Sequence, residues 1–116
     1  MNYDTLYHYR AMVISVYDSD TCHMGIDLGL GIWQKNEKIR LARINTPELR
    51  GDDREAGIKA RDALRELILG KSVLLKTNRD RKGKYGHYIG EIIIDIDSGL
   101  NNVNDWMVEE DYAVFV

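Results

Sequence analysis

Four residues that can act on a phosphodiester lie within nine positions of one another: Arg40, Asn45, Thr46 and Glu48. The planar guanidinium of Arg40 can donate two parallel hydrogen bonds to phosphate oxygens. Asn45 offers an amide oxygen and Thr46 a backbone carbonyl, and calcium accepts both kinds of ligand. The carboxylate of Glu48 can orient or deprotonate water. The spacing indicates a phosphate and cation site, although a surface strand running into an ordinary Asn-Thr-Pro turn is the alternative.

An acidic turn, Asp18-Ser19-Asp20-Thr21, separates two alternating segments earlier in the chain. Two carboxylates two residues apart at a strand junction can present at least one to a hard cation such as calcium. An Asx-turn between two strands is the other interpretation, and the turn alone does not decide between them.

The stretch from Asn78 to His87 is strongly basic in a chain whose formal net charge is -3. It holds one acid, Asp80, against four cations: Arg79, Arg81, Lys82 and Lys84. Tyr85 adds a ring for stacking on a base or a hydroxyl for a phosphate. The stretch predicts a local nucleic-acid contact, with a solvated hairpin tip as the open alternative.

The alternating and helical patterns predict five short strands, with a long helix after the third and a short helix after the fifth. Asp52 or Asp53 can cap the long helix, and Gly70 is placed to end it. This order predicts an α+β fold that is mainly β, built on a five-stranded oligonucleotide/oligosaccharide-binding (OB) barrel. The predicted strands are Tyr9–Tyr17, Thr21–Leu28, Glu37–Ile44, Lys71–Thr77 and His87–Ile96, the predicted helices are Asp53–Leu69 and Asn102–Glu110, a polar loop is predicted over Asn78–Gly86, and a turn over Asp97–Gly99.

The same alternation predicts burial within each strand. Both faces of the first strand are apolar, so we expect both to be partly buried. In the second strand, Cys22 and Leu28 fall on one apolar face, which predicts a buried, inert thiol at Cys22. In the third strand, Arg40 and Arg43 point to opposite sides, so we do not expect them to share a role.

The composition, with 44% hydrophobic and 30% charged residues, predicts one globular domain over residues 1–116. No apolar run approaches the ~18 residues of a membrane span, and the first residues lack the basic and apolar parts of a signal peptide. We therefore expect no membrane contact, a cytoplasmic location by default, and a monomer. The single cysteine excludes an internal disulfide and a cysteine zinc cluster.

Together these stretches resemble the staphylococcal nuclease (thermonuclease) family. That family has an Asp-Gly-Asp-Thr turn where this chain has Asp18–Thr21. Arg-Leu and Asp-(Thr/Ala)-Pro-Glu then follow, and here Arg40-Leu41 and Asn45–Glu48 stand in those places. Lys-Tyr-Gly-Arg opens a later strand, matched here by Lys84–His87, and a Val-Asn pair opens the next helix, as Val103-Asn104 does. The resemblance covers nearly the whole chain.

The resemblance implies an OB barrel and calcium-dependent hydrolysis of DNA and RNA. It also implies roles for individual residues, carried over by their places in the motifs. The metal ligands would be Asp20, Asn45 and Thr46, the catalytic residues Arg40, Glu48 and His87, and the substrate-binding residues Lys84 and Tyr85.

Two departures from the family pattern predict attenuated chemistry. Asn45 replaces a metal carboxylate and removes one negative charge, so we expect weak calcium binding. His87 replaces a phosphate-binding arginine, and a neutral imidazole offers one donor where arginine offers five. Removing one preorganised donor costs ~10²–10³ in rate. The alternative function is a catalytically degenerate OB module that binds nucleic acid or a protein partner.

Overall fold

The computed structural model describes residues 6–82, 86–96 and 99–116, with the backbone alone described at 79–82 and at 96. These residues form eight strands, two α-helices and one 3-10 turn. They are β1 (His8–Asp18), β2 (Thr21–Asp27), β3 (Trp33–Leu41), β4 (Ile44–Asn45), a 3-10 turn (Gly51–Asp53), α1 (Arg54–Ile68), β5 (Ser72–Lys82), β6 (Tyr88–Ile96), β7 (Gly99–Asn102), α2 (Val103–Glu109) and β8 (Val114–Phe115).

Strands β1, β2, β3, β5 and β6 form a closed barrel. Strand β1 pairs antiparallel with β2 and β5, β2 pairs with β3, and β5 pairs with β6. The barrel closes where β3 and β6 run parallel, with Leu41 opposite Gly90. Strand β7 extends the sheet beyond β6, and β4 pairs separately with β8. The predicted α+β fold with a five-stranded OB barrel is confirmed.

Helix α1 covers the barrel core with one apolar stripe. Ala60, Leu64 and Ile68 are fully buried at helical spacing, and burying a leucine or isoleucine side chain stabilises by about 1.5–3 kcal/mol. The helix ends as predicted, because Gly70 takes the left-handed conformation at φ 73°. Asp53 is the N-cap residue, but its side chain makes no capping hydrogen bond.

The sequence predicts that both faces of the first strand are partly buried, whereas only one face lies against the core. Ala11, Val13 and Val16 face the core, whereas Met12 and Ile14 are exposed. The pairing with β2 has an irregularity between residues 13 and 15, and the extra residue restarts the alternation so that Val16 lies on the same side as Val13.

The second strand also ends earlier than its apolar pattern predicts. It stops at Asp27, so Leu28 lies beyond it and is 46% exposed. Cys22 on the same predicted face is fully buried, as expected, and burial raises the pKa of its thiol to about 12.

Several predicted strand ends are wrong, because pairing with a neighbouring strand sets where each strand begins or ends. Strand β3 begins at Trp33, which pairs with Asp27, and not at Glu37. Strand β5 continues into the predicted polar loop, because Lys82 pairs with Tyr88. Strand β7 begins at Gly99, the last residue of the predicted turn, and returns along β6. No helix among the described residues is both long and apolar enough to cross a membrane.

Arg43 holds the end of the chain against the barrel. Its Nη2 donates to Glu91 Oε1 at 2.6 Å and to Asp105 Oδ1 at 2.7 Å, and its guanidinium lies 5.7 Å from the ring centre of Phe115. Burial raises the pKa of Glu91, but hydrogen bonds from Arg43 and Asn102 lower it more, so the pKa lies below its ordinary value. Arg43 is therefore a structural residue.

Candidate active site

The acidic turn is a two-residue hairpin loop between β1 and β2. Asp18 pairs with Thr21, which leaves Ser19 and Asp20 in the loop. The backbone N–H of Ser19 donates to Asp18 Oδ1 at 2.6 Å, and the hydroxyl of Thr21 donates to Asp20 Oδ1 at 3.0 Å. These local bonds fix both carboxylates relative to the backbone.

Arg40 lies beside this loop because β3 pairs with β2. Arg40 is opposite Thr21, and the next backbone N–H, at Leu41, donates to the carbonyl of Asp20 at 2.8 Å. The chain then turns at Arg43, which has φ 69°. The Arg40 guanidinium closes the turn by donating to the carbonyls of Leu41 and Ile44.

A single nitrogen of Arg40 contacts two of the three candidate metal ligands. Nη2 donates to Asn45 Oδ1 at 3.0 Å and lies 3.4 Å from Asp20 Oδ2. The side chains of Arg40 and Asp20 are 25% and 19% exposed. Two oxygens thus converge on one guanidinium nitrogen, and both are of types that a hard cation accepts as ligands.

Asp20 and Asn45 border an open cavity of about 710 Å³. Glu48 stands at its rim with its side chain 74% exposed, and its Oε2 lies 3.8 Å from Arg50 Nε. A carboxylate this exposed can reach water and an incoming ligand. The lining residues are Tyr17, Asp18, Asp20, Asn45, Thr46, Pro47, Glu48, Leu49 and Arg50.

Ser19 links the hairpin loop to the segment from Thr46 to Glu48, a role that sequence analysis missed. It is fully buried, and its hydroxyl donates to Thr46 Oγ1 and lies 3.3 Å from the carbonyl oxygen of Pro47. The hydroxyl therefore ties the loop that carries Asp20 to the segment that carries Glu48. Serine is an ordinary turn residue, so nothing in the local sequence signals this contact.

Gly57 in α1 packs directly against the backbone of the segment that carries Glu48. A Cβ atom at this position would lie 2.4 Å from the carbonyl oxygen of Glu48 and 2.9 Å from that of Pro47. The backbone of the cavity wall therefore rests directly on the helix. The sequence offered one signal for this contact, a glycine inside a predicted helix. Glycine is less favourable there than alanine by about 1 kcal/mol, which indicates a packing reason for it.

The predicted site residues fall into three groups. Asp20, Asn45, Thr46 and Glu48 line one cavity, and Arg40 contacts two of them. His87 does not line it; it lies immediately before β6, whose first residue pairs with the neighbour of Arg40. The substrate-binding predictions lie outside the described residues; they are Lys84 and Tyr85.

The candidate ligand set is poor in charge. Within the part of the chain that the structure describes, no three His, Cys, Asp or Glu side chains come together as a metal-binding group. The neutral amide of Asn45 stands among the oxygens that converge near Asp20.

Two comparisons with known proteins bear on this site. Residues 38–116 match the family model described as staphylococcal nuclease homologue, which covers more than half of the chain. An uncharacterized protein of Methanocaldococcus jannaschii is 27% identical over 131 residues, an alignment that covers 95% of this chain and 60% of that protein. The chain thus spans less than two thirds of the length of this relative.

Proposed function

We propose that this chain, which belongs to the staphylococcal nuclease homologue family, is a calcium-dependent phosphodiesterase that hydrolyses DNA and RNA. The observation that carries the proposal is the convergence of Asp20 Oδ2 and Asn45 Oδ1 on Arg40 Nη2, at a cavity that Glu48 also borders. A phosphate-binding cation, oxygen ligands and an exposed carboxylate are the groups that hydrolysis of a phosphodiester requires.

Calcium would be held by Asp20, Asn45 and Thr46. The donor set is made only of oxygen atoms, which hard cations prefer. Bound calcium would supply positive charge to the phosphate and polarise its oxygens. Binding would be weak, because calcium affinity depends on the number of ligand charges and Asn45 contributes none.

Glu48 is the general base in this proposal. At the exposed rim it orients a water molecule and takes its proton, while the water oxygen bonds to phosphorus. The bond to the leaving oxygen breaks, and that oxygen keeps the electron pair and takes a proton from solvent. Arg50 Nε lies 3.8 Å from Oε2 of this carboxylate.

Arg40 is the phosphate ligand. Its guanidinium is held by the carbonyls of Leu41 and Ile44 and by Asn45, so its orientation is fixed before a phosphate arrives. A donor fixed in advance stabilises the charge that develops on phosphate without a reorganisation cost at the moment of reaction. His87 would add one weaker donor from the start of β6.

The second candidate function is a catalytically degenerate module that binds nucleic acid or a protein partner. One observation favours it: Asn45 accepts a hydrogen bond from Arg40 where a carboxylate would add charge to the site. Binding without cleavage, at any calcium concentration, would identify this function.

The experiment that tests the proposal is cleavage of an end-labelled oligonucleotide by the parent protein and by Glu48→Gln. We expect the variant to lose about 10²-fold or more in rate, the usual contribution of a general base. Its thermal stability should be unchanged, because the side chain is 74% exposed. The matched control is Glu66→Gln on the exposed side of α1. A Glu48→Gln variant that cleaves as fast as the control would refute the base assignment.

A further inference from the structure

The segment that carries Thr46 and Glu48 has no regular secondary structure. It follows β4, which ends at Asn45, and precedes the 3-10 turn. Pairing between strands therefore does not set its distance from the hairpin loop that carries Asp20. Other contacts have to fix that distance, which matters because both sides supply candidate calcium ligands.

Two contacts hold this region from other directions. Arg40 contacts Asp20 and Asn45 from β3, and Gly57 in α1 lies against the backbone of the segment. Neither contact joins the hairpin loop directly to residues 46–48.

The hydroxyl of Ser19 makes the direct link. It donates to Thr46 Oγ1, 27 positions further along the sequence, and lies 3.3 Å from the carbonyl oxygen of Pro47. Ser19 immediately precedes Asp20. The link therefore joins the neighbour of one candidate ligand to the residue that supplies another.

Ser19 is also fixed on its own side of the link. Its backbone N–H donates to Asp18 Oδ1 at 2.6 Å, and the residue is fully buried. Water therefore does not compete for the hydroxyl, and breaking the bond would leave polar atoms short of a partner. A buried bond of this kind resists separation of the two segments that it joins.

The composition of the candidate site makes this restraint important. Calcium affinity depends on the number of ligand charges and on the rigidity of the site, and Asn45 supplies no charge. The Asp-Gly-Asp-Thr turn of the family has glycine where this chain has Ser19, and glycine cannot form a hydroxyl link. The serine thus adds a restraint at a site where the asparagine removes a charge.

We propose that Ser19 is a positioning residue for the calcium ligands, whose buried hydroxyl fixes the separation between Asp20 and Thr46. The proposal rests on the proposed function, which supplies the metal. Oxygen ligands of calcium lie at about 2.3–2.6 Å from the ion, so ligands on two segments have to be held within a narrow range of distances. The Ser19 link sets that separation before the ion binds.

A purely structural role for the link gives a different expectation. If the hydroxyl only stabilised the fold, its removal would lower the free energy of unfolding and leave the calcium affinity of the folded protein unchanged. A positioning role requires that the affinity of the folded protein falls as well. The two roles are therefore separated by a binding measurement on folded variants.

The test is an NMR titration of the full chain with calcium chloride, which follows weak binding directly. Ser19→Ala should weaken calcium binding about tenfold, which corresponds to about 1.4 kcal/mol, in the upper part of the usual range for one hydrogen bond. Thr46→Ala removes the acceptor oxygen but keeps the backbone carbonyl, so it should cause a similar loss. The double variant should bind no more weakly than either single variant, because both changes remove the same bond.

Hydrogen exchange without calcium measures the restraint itself. Ser19→Ala should accelerate exchange of the backbone amides in residues 44–50 and leave the exchange of α1 unchanged, because only the link to the hairpin is lost. Unchanged exchange in residues 44–50 would show that the bond does not restrain the segment, and would overturn the proposal.

The matched control is Ser15→Ala, the same change on the exposed side of β1. Parent-like calcium affinity in Ser19→Ala, an equal loss in the control, or additive losses in the double variant would overturn the positioning role. If Ser19→Ala does not fold, the comparison of Thr46→Ala with the control decides.

The two proposals fail separately. A parent protein that cleaves with calcium, together with a Ser19→Ala variant of unchanged affinity, would refute the positioning role alone. A parent protein that binds calcium but never cleaves, together with a variant that binds more weakly, would support the positioning role and refute the hydrolytic function. A parent protein that binds no calcium would overturn both.

Discussion

In the proposed function, the charge at position 45 decides how strongly calcium binds. Arg40 donates to the neutral amide of Asn45 and lies near the single carboxylate of Asp20. A guanidinium shared between one charged and one neutral oxygen leaves little net negative charge for a cation.

Asn45→Asp should therefore tighten calcium binding roughly tenfold or more, because it adds a carboxylate to the ligand set. Isothermal titration calorimetry with calcium chloride measures the effect directly. Asn101→Asp, an exposed position on β7, is the control for the added charge alone. Equal affinities in the parent and in Asn45→Asp would remove position 45 from the ligand set.

Cys22 should make stability fall in alkaline solution. Burial raises the pKa of its thiol from 9.0 to about 12, so the folded protein keeps the proton that the unfolded chain loses. Its contribution is fully present below about pH 9 and is lost between about 9 and about 12, at up to ~1.4 kcal/mol per pH unit.

Urea unfolding of the parent and of Cys22→Ala at about pH 8 and about pH 10.5 checks this. The truncation costs some packing at both pH values, but the parent should lose more free energy of unfolding between them. Identical losses in the two proteins would show that the thiol titrates normally in the folded state.

At the scale of the elements, α1 positions the cavity wall through one contact. Gly57 lies so close to the backbone of Pro47 and Glu48 that a methyl group cannot be added without moving one of them. The same turn of α1 therefore does two things. It buries Ala60 in the core, and it fixes how closely the backbone of Pro47 and Glu48 packs against the helix.

Gly57→Ala should destabilise the protein by about 1–3 kcal/mol, the usual cost of overpacking. The same change inside an unconstrained helix would stabilise it by about 1 kcal/mol, so the sign of the effect is diagnostic. Thermal unfolding measures it, and Ala56→Gly on the exposed side of the same turn should cost only about 1 kcal/mol. A more stable Gly57→Ala protein would contradict the close contact.

The elements were predicted from sequence where the signal is local. The periodicity of α1 and the left-handed Gly70 located the long helix within a residue or so. The irregularity in β1, which returns Val16 to the core side, depends on the partner strand and leaves no trace in the alternation. The short strands β4 and β8 consist of two residues each and exist only through their mutual pairing.

The residues of the candidate site likewise divide into those that the sequence could predict and those that it could not. The types and order of Asp20, Arg40 and Glu48 could be recognised from the motifs, because chemistry fixes the residue types. The supports could not, since the partners of Ser19 and Gly57 are distant in sequence and are set by how the hairpin, β3 and the helix meet. Sequence thus indicates the reacting groups, and the fold supplies what holds them.

At the scale of the whole molecule, acidic and basic side chains from different elements meet around the cavity. The hairpin between β1 and β2 brings Asp18 and Asp20 to the cavity, whereas β3 carries Arg40. Because Arg40 lies 3.4 Å from Asp20 and Arg50 lines the cavity, side chains of both signs meet there, as joint binding of a phosphate and a cation would require.

The most direct test of the central claim is plasmid cleavage by the parent protein as calcium is titrated and then removed. We predict a rate that rises with calcium, saturates only at high concentration because Asn45 adds no charge, falls to background with chelator, and returns when calcium is restored in excess. Cleavage that continues unchanged in chelator, or no cleavage at saturating calcium by a protein that still binds the nucleic acid, would contradict the assignment of a calcium-dependent phosphodiesterase.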